Sequence, residues 1–471
     1  MQDSAVALPE TKACSFTYGR PFLETVLKLA TACLVLTSGA QVQSQQRGLI
    51  QNDEGAFVGY TLFTPLRSKM THLIDMDGRV VHDWKSEHAP ANSAFLLANG
   101  NLLRPGKVLG NEVFGSRGPS GGRVELFDWD GNRLWNFVYS NEWHHQHHDI
   151  EPLPNGNVLI LAWERKTSAD VIAAGRTPRG TPGKGLFPDM IVEVKQTGPT
   201  SGDIIWEWHA WDHLVQDFDQ KKANYGDVSA HPELFDVNLN GRPRSDWMHS
   251  NGMDYEPELD QIVISSRAFS EFFVIDHSTT TREAAGHSGG RAGRGGDILY
   301  RWGNPANYRF GGKDGQKLFY QHDARWVRAG RPGRGNITVF NNAHRGRDGD
   351  WSSVDEIAPP INGNGSYRIV SGSAFEPSNA VWTYSASVKS DFFSSFISGA
   401  ERLQNGNTLI CSGSDGIFFE VTAVGKTVWE YRNPFEEPPR GAEGPYSVFR
   451  VVRYAPDYPG LVGRDLETEL K

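Results

Sequence analysis

Leu153-Pro154-Asn155-Gly156-Asn157-Val158-Leu159-Ile160 joins two apolar runs through an Asn-Gly turn, and the same unit returns along the chain. Leu96-Leu97-Ala98-Asn99-Gly100-Asn101-Leu102-Leu103 and Leu403-Gln404-Asn405-Gly406-Asn407-Thr408-Leu409-Ile410 are close copies. Looser ones run Pro257-Glu258-Leu259-Asp260-Gln261-Ile262-Val263-Ile264 and Gly335-Asn336-Ile337-Thr338-Val339-Phe340. Asn-Gly supplies the two positive-φ positions of a tight hairpin turn, and alternating apolar residues give each strand one buried face. Ahead of each copy stands a tryptophan- or tyrosine-bearing strand, carrying Trp84, Trp135, Trp206, Trp302 and Trp382 in turn. A last one, Thr427-Val428-Trp429-Glu430-Tyr431, begins a sixth unit that the N-terminal strands are expected to complete.

Six recurrences of one hairpin unit predict an all-β chain, a six-bladed β-propeller with long inter-strand insertions. At about 70 residues per blade, against roughly 40–45 in a WD40 blade, several connections must be long. The stretches 210–244 and 286–296 are the expected insertions. A large β-sandwich or a pair of β domains is the competing architecture, and the recurrence favours the closed ring. Composition agrees: 51 Gly, 26 Pro and 14 Trp with 38% apolar residues suit many short strands and turns better than helices. A net charge of −9 and a pI near 5.9 argue against a nucleic-acid partner, which would require a basic stripe.

The first 45 residues read differently. An apolar run from Leu29 to Leu36 follows Lys12, Arg20 and Lys28 and precedes Thr37-Ser38-Gly39-Ala40, the pattern of an export signal cleaved after Ala40 or Ser44. Residues 1–45 are therefore expected to be a signal peptide or an uncleaved N-terminal anchor, and 46–471 the propeller, exported to the periplasm or beyond. Ala30-Thr31-Ala32-Cys33 makes a poor lipid-attachment motif. The run is too short for a transmembrane span, so no stable membrane insertion is expected beyond such an anchor. Cys14 and Cys33 fall in the leader, which leaves Cys411 alone and no internal disulfide.

Chemistry concentrates just ahead of the second strand of successive units. The segments are His144-His145-Gln146-His147-His148-Asp149, His249-Ser250-Asn251 and Gln321-His322-Asp323, with Arg267 at the far end of the strand that begins near Gln261. A propeller gathers such turns at one channel mouth, where imidazoles and a guanidinium can surround one small anion. Three chemistries can use that set. Histidines can hold a metal, though no HExxH or paired-Cys motif accompanies them; they can handle an anion beside Arg267; or one imidazole can act as a nucleophile. Of the run His144 to His148, one or two are expected to reach the site, with the rest in a surface loop. His209, His213 and His231 read as structural, His277 as a turn residue, and Asp149 and Asp323 as orienting the loops of the preceding histidines.

In order along the chain, His147-His148-Asp149 with Leu-Pro-Asn-Gly-Asn, His249-Ser250-Asn251 with Tyr255 and Pro257-Glu258-Leu259-Asp260-Gln261, Ser265-Ser266-Arg267, and Gln321-His322-Asp323 resemble the bacterial arylsulfotransferase family. The resemblance covers most of residues 50–435. It implies transfer of a sulfuryl group from an aryl sulfate donor to a phenolic acceptor, without a nucleotide (PAPS) donor or any cofactor, by a ping-pong route through a sulfohistidine. By that resemblance His322 is the nucleophile, His249, Asn251 and Arg267 bind sulfuryl oxygens, and His148 assists with the donor or the leaving phenolate. His147 is a rival to His148 and a substrate-binding candidate. Two departures from the family stand out: the lone Cys411 excludes a disulfide found in some members, and the N-terminal extension is short for a separate sandwich domain. Competing functions are a propeller module that binds a sulfated or aromatic ligand, and a metal-dependent hydrolase or lyase on the same scaffold.

Overall fold

The computed structural model describes residues 46–115, 120–347, 349–368, 370, 372–441 and 443–466, so the expected leader lies outside the described residues. Among the described residues, five four-stranded antiparallel sheets and one five-stranded antiparallel sheet make six blades. From the innermost strand outward, blade 2 holds Phe95–Leu96, Leu102–Lys107, Gly122–Phe127 and Arg133–Val138. Blade 3 holds His144–Pro152, Val158–Glu164, Asp189–Gln196 and Gly202–His209. Blade 4 holds Ser250–Glu256, Gln261–Ser266, Glu271–Asp276 and Tyr300–Trp302. Blade 5 holds His322–Trp326, Ile337–His344, Trp351–Ile357 and Trp382–Tyr384. Blade 6 holds Gly399–Arg402, Thr408–Ser412, Ile417–Val421 and Thr427–Arg432, with Gly48–Asn52 added on its outer edge.

Blade 1 closes the ring. Its inner strand is the C-terminal Val448–Tyr454, paired with Tyr60–Pro65 and followed outward by Met70–Ile74 and Val80–Lys85. The closure expected in the sixth unit thus falls one blade later, because the sequence repeat straddles two blades. Each aromatic strand is the outer strand of one blade, and the Asn-Gly-Asn turn that follows joins the first two strands of the next. The strand carrying Trp429 lacks a downstream turn because the first two strands of blade 1 come from opposite ends of the chain.

The tryptophans show why the unit repeats. Nε1 of Trp84 donates to the carbonyl of Asp128, Trp135 to Ser201, Trp206 to the Thr279 hydroxyl, Trp302 to Pro377, Trp382 to Ala423 and Trp429 to Met76. Each outer strand is therefore hydrogen-bonded to the next blade around a complete ring. The turns differ from expectation in one respect: only the glycine takes a positive φ, 85° at Gly156. Gly156 N donates to Leu153 O at 3.0 Å, and Asn155 contributes through its side chain, accepting from Asn157 N at 2.9 Å. That is a type I turn with a left-handed glycine, the three-residue form of hairpin connection.

The expected insertion after Ala210 holds short 3-10 turns and the parallel pair Leu214–Val215 with Phe235–Asp236, packed over blades 3 and 4. Among the described residues no helix is long and apolar enough to cross a membrane.

Candidate active site

The inner strands do not run as regular ladders where the candidate residues lie. The pairing register shifts between Ile160 and Ala162 opposite His147–Asp149, between Ser250 and Gly252 around Asn251, and between His322 and Arg325. A fourth irregularity, between Phe63 and Pro65, faces Phe449 and Arg450. A bulge re-aims side chains that a regular strand would alternate between faces, and bulges gather beside functional sites. Left-handed backbone accompanies them: φ is 52° at His148, 49° at His249, 57° at Tyr320 and 51° at Ile397. For a β-branched residue such as Ile397 that conformation is strained.

These distortions bring the candidates together at one mouth. The rings of His148 and His249 meet edge to face, 4.7 Å between centroids. Nδ1 of His249 is bonded to Asp246, which also accepts from Trp163 Nε1 at 3.2 Å. The His322 ring is buried; its Nδ1 lies 2.7 Å from Asn342 Oδ1, and its Nε2 accepts from the Ile397 N–H at 3.1 Å. An amide oxygen only accepts, so the proton sits on Nδ1 and the lone pair on Nε2. Asn342 Nδ2 in turn donates to the carbonyls of Ser394 and Ile397, both at 2.8 Å, clamping the strained loop over the ring. Asn251 Nδ2 donates to Gln321 O at 2.7 Å, while its Oδ1 is buried without a partner. Arg267 lies over the half-exposed Tyr320 ring, 4.9 Å from its centroid.

The electrostatics follow from crowding. Burial pushes His322 well below the ordinary histidine value, and Arg267 and His249 push it further. His148 is pushed down the same way, by burial first and then by His249, His147, His322 and Arg267. Both imidazoles are thus held neutral, beside a guanidinium that supplies fixed positive charge: a mouth suited to an anion, with lone pairs available for proton transfer or attack.

His147 lies elsewhere than expected. It is fully buried behind His148, stacked on Trp163 at 4.2 Å, so it does not face the mouth. The run 144–148 is no surface loop either; it is the inner strand of blade 3, with His145 held between the hydroxyls of Ser120 and Ser140. Asp149 and Asp323 hold their own strands, Asp149 accepting from Ile150 N at 3.0 Å and Asp323 lying 3.1 Å from Arg325, and also act across the channel: Arg450 bonds both at 2.6 Å, and they accept from Met253 N and Ala400 N of neighbouring blades. That ionic strut separates the histidines from a cavity of about 510 Å³ at the opposite mouth, lined by Glu151, Asp254, Arg325 and Arg328.

His277 bridges Asp260 and Glu193, whose bonds lift it to about 9 against its burial. His209 sits between Glu164 and Glu207, and His231 beside Glu233. His213, His287 and Asp297 have ligand-type atoms within 4.8 Å of one another, away from the mouth. There both Nδ1 atoms are 2.8 Å from Asp297 Oδ1 and His213 Nε2 is 2.8 Å from Ala284 O, so the nitrogens point at hydrogen-bond partners. Sequence reasoning missed Asn342, Asp189, Asp246 and Arg450. Asn342, Asp189 and Arg450 stand apart from the histidine motifs with no local pattern to mark them, whereas Asp246 lies only three residues before His249 and its spacing was the one available signal.

A six-bladed propeller with neutral imidazoles and one guanidinium at a channel mouth is the frame of an anion-handling enzyme. The Arylsulfotransferase (ASST) family model matches residues 51–437, and the chain belongs to that family of aryl sulfotransferases. No curated protein matches it in sequence. Among solved structures, a protein of unknown function from Bacteroides caccae is 12% identical with a TM-score of 0.45, covering 84% of this chain and 98% of that one. Virginiamycin B lyase from Staphylococcus aureus is 8% identical, TM-score 0.37, covering 82% and 89%. Regucalcin, a calcium-binding protein from Agrobacterium tumefaciens, is 9% identical, TM-score 0.33, covering 77% and 85%.

Proposed function

We propose that this protein moves a sulfuryl group from an aryl sulfate to a phenol through a covalent sulfo-His322 intermediate, after export from the cytoplasm. The observation that carries the reading is the His322–Asn342 bond, which puts the Nε2 lone pair at the mouth occupied by His148, His249 and Arg267. Nε2 attacks sulfur as the sulfur–aryl oxygen bond breaks. The departing phenolate takes a proton from His148, and the phenol leaves. Asn342 cannot accept the Nδ1 proton, so the sulfo-imidazole stays cationic and remains a good leaving group for the second half-reaction. There a new phenol gives its proton to His148 and attacks sulfur, freeing His322. Arg267, His249 and the Asn251 Nδ2–H not given to Gln321 O donate to the sulfuryl oxygens, whose charge they stabilise as the transition state forms. The Ile397 N–H is placed to pass from Nε2 to one of those oxygens.

The test is incubation with 4-nitrophenyl sulfate and phenol with a chelator present, and intact-protein mass spectrometry after donor alone. Nitrophenol release that needs phenol and ignores the chelator, with one acid-labile sulfuryl group on the protein, is expected. His322→Ala should abolish both with the fold intact. Release without acceptor, or substantial activity in His322→Ala, refutes the assignment.

A further inference from the structure

Two buried atoms behind the mouth have no hydrogen-bond partner: Nε2 of His147 and Oδ1 of Asp189. They lie 3.2 Å from each other. The other ring nitrogen of His147 faces Nδ1 of His148 at 2.7 Å, a distance that requires a proton between them. The remaining nitrogen of His148, Nε2, has no hydrogen bond among the described residues, and His148 borders His249 and the site. The order is carboxylate, imidazole, imidazole, mouth. Asp189 is anchored by a second contact, its Oδ2 accepting from Ser250 N at 2.9 Å, and His147 by its stack on Trp163.

We propose that Asp189 and His147 are positioning residues of a proton relay that switches His148 between general acid and general base. The proposal rests on the sulfuryl-transfer reading above and goes beyond it. In the acid form His147 is an imidazolium: its charge is paired with the Asp189 carboxylate 3.2 Å from Nε2, Nδ1–H donates to His148 Nδ1, and His148 presents Nε2–H. When the leaving phenolate takes that proton, the Nδ1 proton of His147 crosses to His148. His147 is left neutral with its proton on Nε2, beside Asp189, and His148 now presents a bare Nε2. That is the base form, which accepts the proton of the incoming phenol and returns the first proton to His147. One proton shifts across one hydrogen bond in each half-reaction, and neither histidine becomes an anion. Repulsion between the two rings keeps them from both being charged, consistent with His147 acting on His148.

The experiment compares Asp189→Asn and His147→Gln with the unsubstituted protein in single-turnover sulfuryl uptake. The donors are 4-nitrophenyl sulfate, whose phenolate leaves unaided, and phenyl sulfate, whose phenol is about as basic as tyrosine at pKa about 10. Asparagine keeps an oxygen for Ser250 N–H, which guards the fold. Both variants should take up sulfuryl from the nitrophenyl donor within about threefold of normal and lose ~100-fold or more on phenyl sulfate, the usual scale of general acid catalysis. Equal losses on both donors, or no selective loss on phenyl sulfate, overturn the relay and leave the transfer reading standing. Absence of uptake by the unsubstituted protein overturns the transfer reading and the relay with it.

Discussion

Arg450 offers the sharpest test of how the channel holds the mouth in shape. It rises from the C-terminal inner strand and bonds Asp149 and Asp323, the residues immediately after His148 and His322. All three side chains are buried. Arg450→Met keeps the length and removes the charge, leaving two buried carboxylates across the channel. Removing one partner of a buried ion pair costs about 3–5 kcal/mol. The backbone donors Met253 N and Ala400 N, and Arg325 at 3.1 Å from Asp323, stay in place and hold the loss near the middle of that range. A propeller of roughly 420 residues unfolds with an entropy of ~0.9 kcal/mol per kelvin, at about 2.1 cal/mol/K per residue. A loss of ~4 kcal/mol then lowers the melting temperature by ~4–5 °C. Because the strut sets the spacing of His148 and His322, transfer should fall ~100-fold as well, the effect of a misplacement of ~1 Å. Calorimetry and the nitrophenyl sulfate assay read both. Adding Asp149→Asn and Asp323→Asn to Arg450→Met should restore most of the stability. An Arg450→Met protein melting within a degree of the parent would refute the account of the strut.

Other outcomes follow from the same geometry. Arg267→Lys keeps the charge but loses the fork and the stacking over Tyr320, so kcat/KM for the sulfated donor should fall ~10–100-fold with kcat falling as well; an unchanged kcat/KM would remove Arg267 from the site. Burial holds His72 and His145 near 4, with His148 and His322 also pushed down, while the unfolded chain's histidines titrate near 6.5. The unfolded state therefore binds more protons below about pH 6.5, and denaturation should find stability falling as pH drops from there toward 4. The ion-paired His277, raised to about 9, has the opposite sign: its contribution is present below about 6.5 and is lost as pH rises through 9, so His277→Gln should cost stability at pH 6 and little at pH 10.

The repeat was legible because hairpin turns and buried strands have local periods: Asn155-Gly156-Asn157 and its copies announced the blades, and the aromatic strands announced the contacts between them. The blade boundaries were not legible, since a turn and the tryptophan ahead of it look like one unit whether or not they share a sheet. His322, His249, Asn251 and His148 stood out in the sequence as polar groups ahead of the second strand of a unit, Arg267 at the far end of such a strand, and all of them through the family pattern. The choice between His147 and His148 was invisible, because it depends on a bulge that shows no periodicity and turns adjacent side chains to opposite sides.

By itself, then, the sequence determined the all-β ring and the residue types at its mouth, both written in short-range spacing. Tertiary structure decided what each residue does there. Asn342 fixes the tautomer of His322 from the second strand of blade 5, Asp189 stands behind His147 from the third strand of blade 3, and Arg450 reaches two blades from the far end of the chain. Those partners are twenty to three hundred residues away, and only closure of the ring brings their charges and lone pairs within hydrogen-bond reach.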